Sequence, residues 1–148
     1  YKDKRSLLKY LPQGTLLGVL YFLACLFQAY GLERIPAGRN AFITSLIVVI
    51  IPSTSPIFHK IYPKKVDILT IIIVIIGMYI LLNPFHSKTD LQGDILSFIG
   101  TIFFATHMQV LQKIGKKYKE PIVFGFYQVI FIFIFGFFSL LFFEKNLC

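Results

Sequence analysis

Charge is what this chain has least of. Only 15% of its 148 residues are charged and 56% are hydrophobic, whereas ordinary soluble domains are about one quarter charged. Carboxylates are scarcest. The seven acids, Asp3, Glu33, Asp67, Asp90, Asp94, Glu120 and Glu144, fall at expected helix ends or in loops, so no pair sits inside a span to do acid–base work. Two cysteines build no disulfide framework, since Cys25 lies in an apolar segment and Cys148 is the last residue. No Cys/His cluster has metal-ligand spacing and no glycine-rich phosphate loop occurs. The expectation is no enzyme, no metal and no cofactor. The net charge of +8 is carried by short basic clusters between apolar runs rather than along one face, which argues against a nucleic-acid partner. The opening from Tyr1 is charged and polar, unlike a signal peptide, and the expected context is a fragment of a longer polypeptide.

What is abundant is uncharged length. Windows without formal charge run from Tyr10 to Leu32, Asn40 to His59, Ile68 to Ser87, Ile95 to Gln112 and Pro121 to Phe143. Each is long enough to cross ~30 Å of hydrocarbon as a helix. None shows the two-residue alternation of a membrane β-strand. The expected fold class is all-α, a polytopic transmembrane bundle with helices at about 14–32, 37–58, 66–82, 95–112 and 122–143. Its immediate partner is the lipid bilayer. Basic residues sort onto alternate loops: Lys2, Lys4, Arg5 and Lys9, then Lys60, Lys64 and Lys65, then Lys113, Lys116, Lys117 and Lys119, against Arg34, Arg39, Lys88 and Lys145 on the other side. By the positive-inside rule the fragment's N-terminus faces the cytoplasm, in a multi-pass protein of the plasma (inner) membrane.

The stretch from Ile35 to Pro56 stands out because Pro52 and Pro56 each remove a backbone donor inside an expected span. Both are read as bends, Pro52 as the point about which its helix rocks. In membranes, small and polar residues mark the protein-facing side. Gly14, Gly18, Tyr21, Cys25 and Gln28 share one such stripe, opposite an expected lipid side that includes Leu16 and Leu17. Thr44 and Ser45 sit on the second helix, where hydroxyls either bond back to the carbonyl one turn earlier or face a passage. On the fourth helix Ser97, Thr101, Ala105 and Met108 form a small-residue seam beside Gly100, Phe104 and His107. An ionisable His107 inside a span is either a functional site or a neutral imidazole bonded to a neighbouring helix. Gln28 likewise serves either packing or a pathway. Gln128 lies on the last helix in line with Gly125, Ile132 and Gly136.

Two stretches carry a resemblance when read together. GLERIPAGRNAFITSLIVVIIPSTSPIF resembles the segment of EamA-family drug/metabolite transporters in which a short outer turn leads into a helix with small residues, a TSL-like triplet (Thr44, Ser45, Leu46) and inner prolines. GDILSFIGTIFFATHMQVLQK, opening on Gly93 and Asp94, is similar to the start of the second EamA repeat. The resemblance implies a ten-helix transporter of two inverted five-helix repeats, of which this chain is helices three to seven. Residues 1–84 would end the first repeat and 93–148 begin the second, the missing helices of the same polypeptide completing a central pathway for a small-molecule substrate. The implied function is a permease or exporter of a small metabolite, amino acid or drug-like compound by alternating access. The alternative is a non-transporting membrane scaffold or partner subunit. Candidate substrate-binding residues, from the stripes, are Tyr21, Gln28, Thr44, Ser45, Thr101, His107 and Gln128. Reporter fusions at Lys65, Lys88 and Lys117 are expected to read cytoplasm, outside and cytoplasm, and the reverse order would overturn the charge argument.

Overall fold

The computed structural model of the protein describes residues 10–82, 90–118 and 121–144. The basic leader, the Asn83–Pro84 helix stop, Lys88 and Cys148 lie outside the described residues. Those described form six helical segments: α1 Leu11–Leu32, α2 Ala37–Ser45, α3 Ile47–His59, α4 Lys65–Leu82, α5 Leu91–Tyr118 and α6 Pro121–Glu144. Local chemistry sets their limits. Pro12 sits in the first turn of α1, where a missing N–H is tolerated, and Pro36 precedes α2 as its cap residue. The Asp67 carboxylate accepts the Lys64 N–H at 2.7 Å at the start of α4, and Asp90 accepts from Gln92 and Gly93 at the start of α5. Lys60 ends α3 in the left-handed conformation, φ 57°. α5 runs one turn earlier and about two turns later than expected, because charge at a helix end in water does not stop a helix that meets no proline or glycine pair.

Four segments are long and apolar enough to cross a membrane: Leu11–Leu32, Ala37–His59, Leu91–Tyr118 and Ile122–Leu140. The second comprises α2 and α3. A fifth crossing rests on α4, whose 18 residues rise about 27 Å. The interruption in the second span falls at Leu46, between α2 and α3, whereas Pro52 and Pro56 lie inside α3. Ser45 lies at the break. Its hydroxyl donates to the Phe42 carbonyl, the acceptor the Leu46 N–H would use in a regular helix, and that N–H bonds to Ile43 O instead at 3.2 Å.

The centre of the bundle is the α1–α5 pair rather than the proline-bearing segment. Lipid tails are as apolar as leucine, so helices associate in a bilayer through close packing of small residues and hydrogen bonds. α1 and α5 do so antiparallel. A Cβ built on Gly31 would collide with Ser97 Oγ, and one on Gly100 would stand 2.9 Å from Ala24 O and 3.1 Å from Gln28 N. Gly93, Ser97, Thr101, Ala105 and Gln109, four apart along α5, are all buried. α2 and α3 run parallel to that row: Thr101 Oγ1 donates to Ile43 O at 3.4 Å and Gln109 Nε2 to Ile51 O at 2.7 Å. α6 lies parallel to α1, with Gly14 against Tyr127 and Gly18 against Phe131. α1 and α6 therefore run one way and α2–α3 and α5 the other, placing Arg34 and Arg39 with Asp90 and Asp94 at one end. At the opposite end Tyr10 meets Tyr118 and Phe124 at 5.4 Å.

Two expected faces need correction. Leu17, read as lipid-facing, is fully buried, because the protein-facing side of α1 is centred on Gly14, Leu17, Gly18, Ala24 and Gly31. Cys25, read as protein-facing, is exposed in this chain and lines a groove between α1 and α2, and Met108 is 39% exposed at the edge of the α5 seam. The glycine contacts generate a test. Gly100→Ala is expected to lower the thermal stability of the detergent-solubilised full-length protein by about 1–3 kcal/mol. Gly115→Ala, with nothing within 4 Å of its Cβ, should leave stability unchanged or raise it by up to about 1 kcal/mol. Equal losses would contradict the close approach.

Candidate functional site

Three of the seven sequence-derived candidates meet in a groove between α1 and α2. Gln28 Nε2 donates to Thr44 Oγ1 at 2.6 Å, and that hydroxyl donates to Asn40 O at 2.9 Å. Asn40 Nδ2 returns a bond to Gln28 O at 3.1 Å. The circuit is neutral throughout and ties the last turns of α1 to the first turns of α2. Beside it lies an open cavity of about 630 Å³ lined by Gln28, Asn40, Thr44 and Ser45 with Cys25, three alanines, Leu32 and Ile47. That volume and mixture suit a small organic ligand, an apolar wall with a few placed polar groups. Ser45 lines the groove while its hydroxyl is held by the Phe42 carbonyl. Asn40, 4% exposed, was not among the sequence candidates. Its signal was its spacing, one turn before Thr44.

A second polar cluster lies deeper. Tyr21 is at the midpoint of α1, and its ring meets His107 edge-to-face at 5.3 Å. His107 Nε2 is 3.3 Å from Gln128 Oε1 on α6. An amide oxygen only accepts, so Nε2 carries the proton here and Nδ1 presents its lone pair. The imidazole is 3% exposed, and Nδ1 is buried without a hydrogen-bond partner. The candidates thus divide: Gln28, Thr44 and Ser45 toward the arginine end, and Tyr21, His107 and Gln128 about 10 Å deeper by helix rise from Gln28 to Tyr21.

Thr101 joins neither group. It is fully buried and spends its hydroxyl on Ser97 O at 2.8 Å and Ile43 O, which is packing. Sequence reasoning also missed Gln109, 1% exposed. Its amide donates to Ile51 O, with Thr54 Oγ1 at 3.1 Å and Ser55 Oγ at 3.3 Å. It clamps the proline-bearing α3 to α5, and continuing the four-residue series from Gly93 would have found it. At the arginine end Arg39 and Asp94 form a two-pronged pair, Nε to Oδ1 at 2.7 Å and Nη2 to Oδ2 at 2.6 Å. It closes an apolar cleft of about 320 Å³ between α2 and α5, lined by Phe42, Ile43, Leu46, Ile95 and Phe98. Beyond the ion pair that cleft offers a ligand no polar side chain to orient it, which sets it below the α1–α2 groove. Among the described residues no three His, Cys, Asp or Glu side chains come together as a metal site requires.

No curated protein and no solved structure matches the chain. The EamA-like transporter family matches residues 1–83, which takes in α1 to α4 and the whole α1–α2 groove. With four helices able to span a bilayer, the chain is an integral, multi-pass membrane protein, and it belongs to the EamA-like transporter family.

Proposed function

We propose that the protein moves a small metabolite, an amino acid or a drug-like compound across the membrane by alternating access, and that the α1–α2 groove is the face this chain turns to the substrate. The observation that carries the reading is the neutral circuit of Gln28, Thr44 and Asn40 beside an open cavity. Interhelical hydrogen bonds of this kind are worth about 0.6 kcal/mol each and at most about 1.7 in membranes, so a ligand amide, hydroxyl or amino group can replace them. The groove's lining residues carry no formal charge, which favours a neutral or zwitterionic substrate over a multiply charged one. The hinge role assigned by sequence to Pro52 is better given to Leu46, where the helix is already parted next to the groove. The reading keeps the two-repeat division at residues 1–84 and 93–148, the cytoplasmic N-terminus and the plasma-membrane location.

Cysteine labelling tests it. In the full-length protein with other cysteines replaced, Thr44→Cys should react with a charged, water-soluble thiol reagent at least tenfold faster than Thr101→Cys, which is sealed in packing. A panel of neutral amino acids and organic cations should contain a compound that slows the Thr44→Cys reaction and is moved by the unmodified protein in liposomes. Thr44→Cys reacting no faster than Thr101→Cys would sink the proposal.

A further inference from the structure

We propose that His107 is a proton-binding site, and that loading it excludes the packed arrangement in which α5 lies on α1 and Gln128 of α6 reaches the ring. Nε2 is committed to Gln128 Oε1 at 3.3 Å, and Nδ1 is enclosed with no acceptor beside it. A neutral ring tolerates this, because its bare lone pair asks for nothing beyond a modest desolvation. A second proton changes the chemistry. It places a charged N–H where no oxygen receives it and no water reaches it, and a buried, unpaired donor of that kind is strongly unfavourable. The ring can therefore hold a proton only after α1 moves off α5, or Gln128 of α6 moves off the ring, and water is admitted.

Among the described residues no neighbour supplies the missing countercharge. α1 brings Tyr21 edge-to-face, with Cys25 one turn further along. α6 brings the uncharged Gln128. The part of α3 between Ile47 and Ile51, set beside this region by the Ile43–Thr101 and Ile51–Gln109 pairings, has no titratable group. On α5 itself Lys113 is about 9 Å of rise away, and Asp94, already paired with Arg39 of α2, is about 20 Å away. His59, at the end of α3, falls by the same pairings beside the Lys113–Lys117 end. The sign follows. The packed arrangement binds one proton fewer than the open one, so packing is favoured at high pH and opening as the pH falls through the imidazole range.

The test uses the full-length protein in liposomes and reads helix separation, so it does not depend on any substrate being moved. Spin labels at the exposed Leu16, Ile102 and Val129 report the α1–α5 and α5–α6 distances. Between about pH 8 and about pH 5, a longer-distance population should grow by up to about tenfold per pH unit. His107→Gln should flatten that growth, and His59→Gln should leave it in place. In the unmodified protein, imidazole ¹⁵N resonances should show His107 gaining its proton only as the separated population appears. Distances that stay constant while His107 titrates, or a pH response that survives in His107→Gln, would overturn the proposal. Opening with pH in a protein that moves nothing would remove the transport reading and leave this site standing.

Discussion

In a bilayer the apolar faces of two helices gain nothing by meeting each other instead of lipid, so the fold depends on where backbones approach closely enough for dispersion and hydrogen bonding to hold them. Here that place is the crossing of α1 and α5. Gly31 and Ala24 meet Gly93, Ser97 and Gly100 with no room for one more methyl group, and the antiparallel register that results aligns everything else. It brings the midpoint of α1 to His107, and it leaves the adjoining flank of α5 free to receive α2 and α3 along Thr101 and Gln109. It also frees Gln28 to reach Thr44 rather than α5. The polar circuit and the buried imidazole are consequences of one register.

Much of this was legible because small residues in a membrane helix carry directional information that large apolar ones do not. The Ser97, Thr101 and Ala105 seam and the Gly14 and Gly18 contacts could be read from spacing alone. Leu17 could not, because a leucine is equally at home against a neighbouring helix and against an acyl chain. The helix break was misplaced for a different reason. Pro52 announces a lost donor, yet α3 absorbs it, while Ser45, an unremarkable hydroxyl, takes the Phe42 carbonyl from the Leu46 N–H. Whether a serine bonds back without consequence or parts the helix is decided by geometry that composition does not encode. The site was half legible in the same sense. Gln28, Thr44, His107 and Gln128 were identified as polar groups out of place in lipid, but their division into an open circuit and a sealed pair needed the packing.

The two ends of the bundle differ in stiffness, and the difference bears on how it could move. At the arginine end α1, α2 and α5 are joined by the two-pronged Arg39–Asp94 pair, by Arg34 with Gln92 and Asp90, and by the close Gly31–Ser97 contact. Charge-assisted bonds of that geometry are about twice as strong as neutral ones. Toward the lysine end α5 is held to α3 by the Gln109 amide, but its polar link to α6 among the described residues is the neutral His107–Gln128 contact of 3.3 Å, and α6 presents Phe126, Val129, Phe133, Phe137 and Phe138 outward. A bundle fastened this way opens where its bonds are fewest. Separation at the His107 level, pivoting about the Arg39–Asp94 clamp, would strain one weak hydrogen bond and several ring contacts while leaving the strong pair intact. That is the motion the buried imidazole would sense: water entering between α5 and its neighbours reaches Nδ1 early, before the clamp is disturbed, so a single proton acts at the point where the least work is needed to part the helices.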